Sequence, residues 1–336
     1  MKQLFKQTII HSAVTASALM LSIVSGSAQA APVSEWSYST DSTFSNATWS
    51  GGAGPSGLET TSPYELSWGY SGGNFQVNSG NSDLNRSALT IGNAVTGNLT
   101  GGTPATGNVF TTIGGTPNPL AGQIGTGISI THWNNPLTSS YGTLTGATIT
   151  DTLTLNPILP SYYIPGLVTA PTLTFNFKFQ ETPNAGEFGL GGFGHGGSGF
   201  CADGKTAASY GPNGCPDLFG FSNTLTLNNA FQYLDSGLDG ILGNSDDFLR
   251  TYYASVFVLD TANQAFPLSQ LTAGECGVLG LGTSCYGFRT AEADDTTAKF
   301  AFAITTDRFS VPEPGSLALL GLAFAGLGAI RQRKAR

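Results

Sequence analysis

The four cysteines of this sequence, Cys201, Cys215, Cys276 and Cys285, are the residues with the most definite chemistry. Four cysteines can pair in three ways. Cys201–Cys215 and Cys276–Cys285 are the pairs that we predict, because each lies in a Gly- and Pro-rich segment that a short cross-link would hold. A zinc site is one alternative to disulfides, but the gaps between the cysteines do not suit its paired C-x₂₋₄-C ligands. Reduced, buried cysteines are the other.

An acidic stretch offers oxygen ligands for calcium, namely Asp235, Asp239, Asp246 and Asp247. The first three aspartates occupy positions 1, 5 and 12 of a loop with Gly240 at position 6, which resembles an EF-hand-type calcium loop. Position 3 is Gly237, position 12 is Asp where Glu is usual, and no helical pattern flanks the loop. We therefore predict a single calcium site between strands, assisted by Asp247. A solvated acidic turn is the alternative.

One histidine lies in the segment Thr131-His132-Trp133-Asn134. On a strand, His132 and Asn134 would share one face, and the two asparagines before Pro136 would hold a turn. The sequence has 3 histidines, of which His11 lies in the first 30 residues. A catalytic metal site is therefore not expected. We predict a hydrogen-bonded structural role for His132.

Three glycine-rich matches to catalytic motifs do not have the required context. Residues 69–73 fit G-x-S-x-G, residues 195–199 resemble an oxyanion loop, and residues 189–194 fit G-x-G-x-x-G. No strand–turn–helix pattern surrounds the supposed nucleophile, and no helix follows that could bind a pyrophosphate. We therefore expect no enzyme. A secreted hydrolase that uses a pair of carboxylates is the catalytic alternative.

The elements that position these residues are predicted to be β-strands. Charged residues make up 10% of the chain, against roughly 25% in a typical domain. Segments with period-2 alternation recur between Gly, Pro and Asn clusters, at residues 64–70, 127–133, 147–155, 172–176, 224–228, 252–259 and 298–306. We predict an all-β body, a β-sandwich or jelly roll, with Gly-rich loops over residues 93–127 and 186–199.

The N-terminus is typical of a secretory signal. Lys2 and Lys6 precede an apolar stretch, and Ala28-Gln29-Ala30 has the A-x-A form that signal peptidase accepts. We predict a signal helix over residues 1–30, with an uncleaved anchor as the alternative. Export to an oxidising compartment favours disulfides over free thiols.

The charge of the remaining chain excludes one class of partner. Residues 31–310 carry 7 Lys/Arg and 20 Asp/Glu, a net charge of −13. A phosphate backbone would repel such a surface, so we expect no nucleic acid partner. Divalent cations remain compatible with it.

The C-terminus combines a turn, a short apolar run and a basic cluster. The turn is Val311, Pro312, Glu313, Pro314 and Gly315, and the basic residues are Arg331, Arg333, Lys334 and Arg336. As a helix, residues 316–330 would span about 22 Å, less than the roughly 30 Å of a bilayer core. The basic end would stay cytoplasmic, which leaves the Pro-Glu-Pro turn at the outer face of the inner membrane.

This ending resembles the PEP-CTERM sorting signal of Gram-negative bacteria. The body resembles the THxN family of PEP-CTERM proteins through Thr131, His132 and Asn134. The resemblance implies an exosortase as processing enzyme, removal of the tail, and display or release at the cell surface, commonly in exopolysaccharide-producing bacteria. It implies no catalytic residue in this chain. An ordinary single-pass anchor is the alternative for the tail.

The predicted organisation is a signal peptide over residues 1–30, an exported body over residues 31–310, and a sorting signal with a transmembrane helix over residues 311–336. The leading hypothesis for function is a non-catalytic surface or matrix protein in contact with exopolysaccharide. The alternative is a carbohydrate- or ice-binding module. Its candidate stacking groups are Trp36, Trp49, Trp68 and Trp133, and exposed flat aromatic or Thr arrays would favour it.

Overall fold

The structure is a computed structural model, and it describes the following residues: 31–50, 60–70, 72–73, 75, 85–102, 104–115, 122–135, 137, 141–159, 172–182, 200–210, 214–221, 227–235, 241, 243–259, 265–266, 269–290 and 294–309. Most of the described chain is strand, and helix is scarce, which confirms the predicted β-rich body. Within the described ranges, no helix is long and apolar enough to span a membrane. The predicted signal and sorting helices lie outside these residues, so the three-part organisation stays a prediction.

The strands follow one another in chain order as β1 (Glu35–Trp49), β2 (Thr60–Ser62), β3 (Glu65–Gly69), β4 (Arg86–Asn93), β5 (Ala105–Thr112), β6 (Gly125–Trp133), β7 (Leu144–Leu159), β8 (Thr172–Gln180), β9 (Asp217–Phe221), β10 (Asn229–Asp235), β11 (Phe248–Leu259), β12 (Ala265–Phe266), β13 (Ser269–Gln270), β14 (Tyr286–Thr290) and β15 (Asp295–Thr305). One α-helix, α1 (Ala273–Val278), lies between β13 and β14, and a short 3₁₀ turn covers Ala207–Tyr210.

The strands form two antiparallel arrays. The first, here the β1 sheet, has the order β13-β14-β9-β8-β7-β1-β5, and the second, the β6 sheet, has the order β2-β3-β4-β6-β15-β11, with β10 and β12 also paired to β11. A short parallel pairing joins the two arrays, where Ile304 and Thr305 of β15 lie beside Thr111 and Thr112 of β5.

The two arrays share one hydrophobic core. Buried and partly buried side chains alternate along the first part of β1, so one face of this strand points into the core. Trp36 and Tyr38 are buried on its inner face. Trp36 makes an edge contact with Tyr252 of β11 at a centroid distance of 5.3 Å, and Tyr38 does so with Phe302 of β15 at 4.8 Å. These rings belong to the β6 sheet, so the inner faces of both sheets bury their apolar side chains against each other.

Most of the predicted strands are confirmed, and one predicted loop is wrong. The segments at 64–70, 127–133, 147–155, 172–176, 252–259 and 298–306 all fall on strands. The predicted loop over residues 93–127 contains β5, which pairs with β1. Gly107 of β5 lies beneath Tyr38, and a Cβ there would come within 2.8 Å of the phenol oxygen, so a close cross-strand approach explains this glycine. The loop predicted at 186–199 lies outside the described residues.

Candidate functional site

His132 lies at the centre of a buried polar cluster. It belongs to β6, where it is flanked by Leu89 of β4 and Thr296 of β15. Its side chain is 1% exposed, and its Nδ1 lies 2.9 Å from the hydroxyl of Thr290 on β14. Burial lowers the pKa of His132 to about 3, so the imidazole is neutral near pH 7. The sequence did not identify Thr290 as its partner, and the structural role predicted for His132 stays a prediction.

Two carboxylates complete the cluster, and both come from the β1 sheet. Glu181 follows β8 directly, and Asp217 begins β9 and is fully buried. The nearest ligand-type atoms of His132, Glu181 and Asp217 all lie within 4.8 Å of one another. His132 Nε2 and Asp217 Oδ2 are 3.8 Å apart. The cluster therefore joins β6 to β8 and β9 across the core.

The surroundings of the cluster fix its side chains. The Trp68 indole N–H of β3 donates to Glu181 Oε2 at 3.1 Å, and the indole stacks on the His132 ring at a centroid distance of 6.0 Å. The backbone N–H of Thr182 donates to Asp217 Oδ1 at 2.6 Å. Neither carboxylate was singled out in the sequence, because they lie 49 and 85 positions from His132 and no local motif connects them.

Hydrogen bonds hold the two asparagines that follow Trp133. Asn134 is fully buried, and its backbone N–H donates to the carbonyl of Asp294 at 3.3 Å. The Asn135 side-chain amide donates to the backbone carbonyl of Arg86 at 2.7 Å, and the backbone carbonyl of Asn135 accepts from the Ser87 hydroxyl at 3.0 Å. These contacts attach the segment to β4. Pro136 lies outside the described residues.

Both predicted disulfides are present. Cys201 is bonded to Cys215 and Cys276 to Cys285, and the described chain holds no free cysteine. The second pair joins α1 to the residue before β14. A small satellite core surrounds it and comprises Ala202, Leu218, Leu271, Cys276, Leu279 and Cys285. The cysteines thus hold a peripheral lobe against the edge of the β1 sheet.

The proposed calcium ligands are in different environments. Asp235 is 2% exposed; it accepts from Arg250 Nε at 2.6 Å and from the Tyr252 hydroxyl at 3.0 Å. Burial raises the pKa of this carboxyl, while the two donors oppose that effect. Asp247 accepts from the backbone N–H of Gly243 at 2.6 Å, and Asp246 lies in the same turn. Asp239 lies outside the described residues, so the calcium site stays a prediction.

The four tryptophans do not form an exposed stacking surface. Trp36 and Trp68 are 0% exposed and belong to the core, so the prediction that they stack on a ligand is wrong. Trp49 is partly buried and packs against Trp68. The Trp133 indole N–H donates to the Thr90 hydroxyl at 2.9 Å. The sequence did not show which tryptophans face the core, because that depends on how the two sheets pack.

The outer face of the β1 sheet presents an array of short polar side chains. Successive rows across β1, β7 and β8 are Asp41–Thr152–Thr172, Thr43–Thr150–Thr174 and Ser45–Thr148–Asn176, of which the last is centred on the buried Thr148. Thr152, Thr172 and Thr174 are exposed, as is Thr154 in the next row. Adjacent strands lie about 4.8 Å apart, and residues on one face repeat about every 6.7 Å along a strand. Hydroxyl groups therefore recur on a regular grid.

Asp151 is a carboxyl group in the interior of the body whose pKa is clearly raised. It faces inward from β7 and accepts hydrogen bonds from Ser42 at 3.0 Å and Thr40 at 3.3 Å, both on β1. Isoleucine and phenylalanine side chains line the cavity beside it. Burial raises the pKa of Asp151 from 3.8 to about 6, against the lowering effect of the two hydroxyl donors.

Asp151→Asn is expected to change how stability depends on pH. Between pH 3.8 and about 6 the folded state binds more protons at Asp151 than the unfolded state, so wild-type stability falls as pH rises through this window. The free energy of unfolding of the variant, relative to that of wild type, should increase by roughly 2–3 kcal/mol from pH 4 to pH 7. Urea unfolding at both pH values measures it.

Ser42→Ala provides the matched variant for this test. Loss of its hydrogen bond to the charged carboxylate should raise the pKa of Asp151 further and make the fall in stability toward pH 7 steeper. If the difference in free energy of unfolding between Asp151→Asn and wild type were the same at every pH, the assignment of a raised pKa to Asp151 would be wrong.

Comparison with known proteins concerns the tail. Residues 310–334 match the PEP-CTERM protein-sorting motif. No curated protein matches the chain. The motif identifies an exported protein whose C-terminal tail is processed by an exosortase toward the cell surface. The predicted sorting signal is thereby confirmed, whereas the THxN resemblance of the body stays a prediction.

Proposed function

We propose that this chain is a non-catalytic exported protein whose β-sandwich body contacts exopolysaccharide after the tail has been processed. The sorting motif at residues 310–334 is the observation that carries the proposal, because it directs the body to the outer surface. The body then meets whatever polymer the cell secretes. The apolar run of the tail would anchor the protein in the inner membrane only until the exosortase acts.

The grid of hydroxyl groups on the β1 sheet supports a polysaccharide ligand. Its exposed members include Thr152, Thr154, Thr172 and Thr174. Hydroxyl groups can donate and accept hydrogen bonds, as the hydroxyls of a sugar chain do. Each such bond contributes a net free energy of only about 0.5–1.5 kcal/mol, so affinity would come from many contacts along an extended polymer.

Replacing Thr152, Thr154 and Thr174 with Val tests this surface. Valine keeps the branched shape that suits a strand and removes only the hydroxyl. Three lost hydrogen bonds should weaken binding of the exported protein to the host's own extracellular polysaccharide by at least about tenfold. Sedimentation with the purified polymer measures the change.

The control for this variant changes exposed threonines elsewhere. Val at Thr100 and Thr206, two exposed threonines outside the rows of the grid, should leave binding unchanged. Equal binding by wild type and the triple variant would exclude the grid as the polysaccharide surface. Equal weakening by the control would show that the effect is not specific to the grid.

Ice is a second candidate ligand, and the regular rows Asp41–Thr152–Thr172 and Thr43–Thr150–Thr174 favour it. A solid lattice is matched best by groups that recur at fixed spacings, which adjacent strands provide. The same triple variant discriminates, because inhibition of ice recrystallisation by wild type but not by the variant would support ice.

A further inference from the structure

We propose that His132, Glu181 and Asp217 form a binding site for one zinc ion, which ties the β6 sheet to the β1 sheet. The site is independent of the sorting tail and of the hydroxyl grid. Zinc accepts imidazole nitrogen and carboxylate oxygen together, whereas calcium and magnesium prefer oxygen ligands alone. The role is structural, since the cluster lies in the core.

The first support is the spacing between His132 and Asp217. Their Nε2 and Oδ2 atoms are 3.8 Å apart, which is too long for a hydrogen bond. Two ligands that each lie about 2.1 Å from a tetrahedral zinc are roughly 3.4 Å from each other. A Glu181 oxygen also lies within 4.8 Å of both ligand atoms. Small side-chain movements would therefore bring all three atoms into one coordination shell.

The second support is the environment of the His132 ring. Nε2 is buried and has no hydrogen-bond partner among the described residues. The Thr290 hydroxyl lies 3.5 Å from the carbonyl of Asp217, to which it donates, so it accepts from Nδ1 of His132 at 2.9 Å. That arrangement puts the ring proton on Nδ1 and leaves the lone pair of Nε2 facing a carboxylate. A cation between these two atoms would remove the repulsion.

This hydrogen-bond pattern is the one that metal-binding histidines show. A ligating histidine usually donates its second N–H to an oxygen atom, which fixes the ring and its tautomer. Thr290 supplies that oxygen here, and Trp68 fixes Glu181 in the same way through its indole N–H. The ligands are thus supported by groups that would hold them in place.

The third support is burial. Asp217 is 0% and His132 is 1% exposed. Ionisable groups at such depth are normally paired or coordinate metals, because burying them otherwise is costly. A metal ion held by all three side chains accounts for their convergence in the core.

The test uses the mature exported protein, purified, stripped with a chelator and titrated with Zn²⁺ alone. We expect one equivalent to bind and the thermal midpoint to rise, because zinc binds the folded state in preference. Cobalt substituted for zinc should give visible absorption bands typical of a nitrogen- and oxygen-ligated site. Mg²⁺ should not reproduce either effect.

Glu181→Gln and Asp217→Asn are the decisive variants, since each keeps the shape of the side chain and removes one charge. Loss of an outer partner usually weakens metal binding about 10- to 100-fold, and loss of a ligand should weaken it at least as much. Asp151→Asn is the matched control, another inward-facing carboxylate outside the cluster, and should bind zinc as wild type does. Circular dichroism of the metal-free variants verifies that they fold.

Two results would overturn the site. One is wild-type protein that binds no stoichiometric zinc after folding has been verified. The other is zinc binding that persists at wild-type strength in both folded variants, which would place the metal elsewhere on the acidic surface.

Discussion

Replacing all four cysteines with alanine is expected to reduce the free energy of unfolding by roughly 5 kcal/mol. The bonded cysteines are separated by 14 and 9 residues. Closing a loop of about 15 residues in the unfolded chain stabilises the folded state by about 3 kcal/mol, and a shorter loop by slightly less. Whole domains are stable by about 5–15 kcal/mol, so this loss should leave the variant close to unfolding at growth temperature.

The effect should be concentrated in the lobe around α1. Its own core is small, and small cores rarely support a fold without covalent help. One non-covalent contact that holds it is the ion pair of Arg289 with Glu275, whose two oxygens accept at 2.6 and 2.9 Å. We expect hydrogen exchange in the alanine variant to rise first in α1 and β14, before the central strands β1 and β7 open.

Urea unfolding followed by circular dichroism measures this loss. Chemical reduction of the wild-type protein should reproduce it, while the same reductant should leave the alanine variant unchanged. A midpoint shared by wild type and variant would contradict the prediction. Peptide mapping without reduction is the complementary check, since cross-pairing of Cys201 with Cys276 or Cys285 would disagree with the fold described above.

The sequence predicted those features of the fold that depend on local patterns. Alternation identified β6 and β15, because apolar residues at every second position indicate a strand with one buried face. Local Gly- and Pro-rich context was enough to choose the cysteine pairing. In contrast, β5 was missed because its inner face includes Gly107, whose place under Tyr38 depends on a strand more than 60 residues earlier in the chain.

The candidate metal site could not be predicted from the sequence. His132 was identified through its local motif, but its partners Glu181 and Asp217 are brought to it by the packing of two sheets. A single histidine gave no sign of a metal, since the carboxylates had no characteristic spacing from it. Distances of this kind become visible only once the register of β6, β8 and β9 is known.

Replacing Pro312, Glu313 and Pro314 with alanine is expected to abolish processing and release of the protein. Alanine leaves the apolar run and the basic residues intact, so membrane insertion should be unaffected. Proline cannot continue a helix, whereas alanine favours one, so the replacement should change the conformation that the sequence predicts for this turn. Recognition by the exosortase should therefore fail, and the full-length chain should accumulate in the membrane fraction.

Ser316→Ala is the control for this variant. It changes the residue after the turn without altering the Pro-Glu-Pro sequence, and it should be processed as wild type is. Release of the triple-alanine variant in wild-type amounts would mean that hydrophobicity alone determines the fate of the tail. The segment would then be an ordinary anchor.

Mass spectrometry of the mature C-terminus, on wild-type protein from its native host, tests the central claim most directly. Sorting by an exosortase predicts that surface or secreted protein ends near Pro312-Glu313-Pro314 and lacks residues 316–336. Surface protein that still ends at Arg336 would contradict this account.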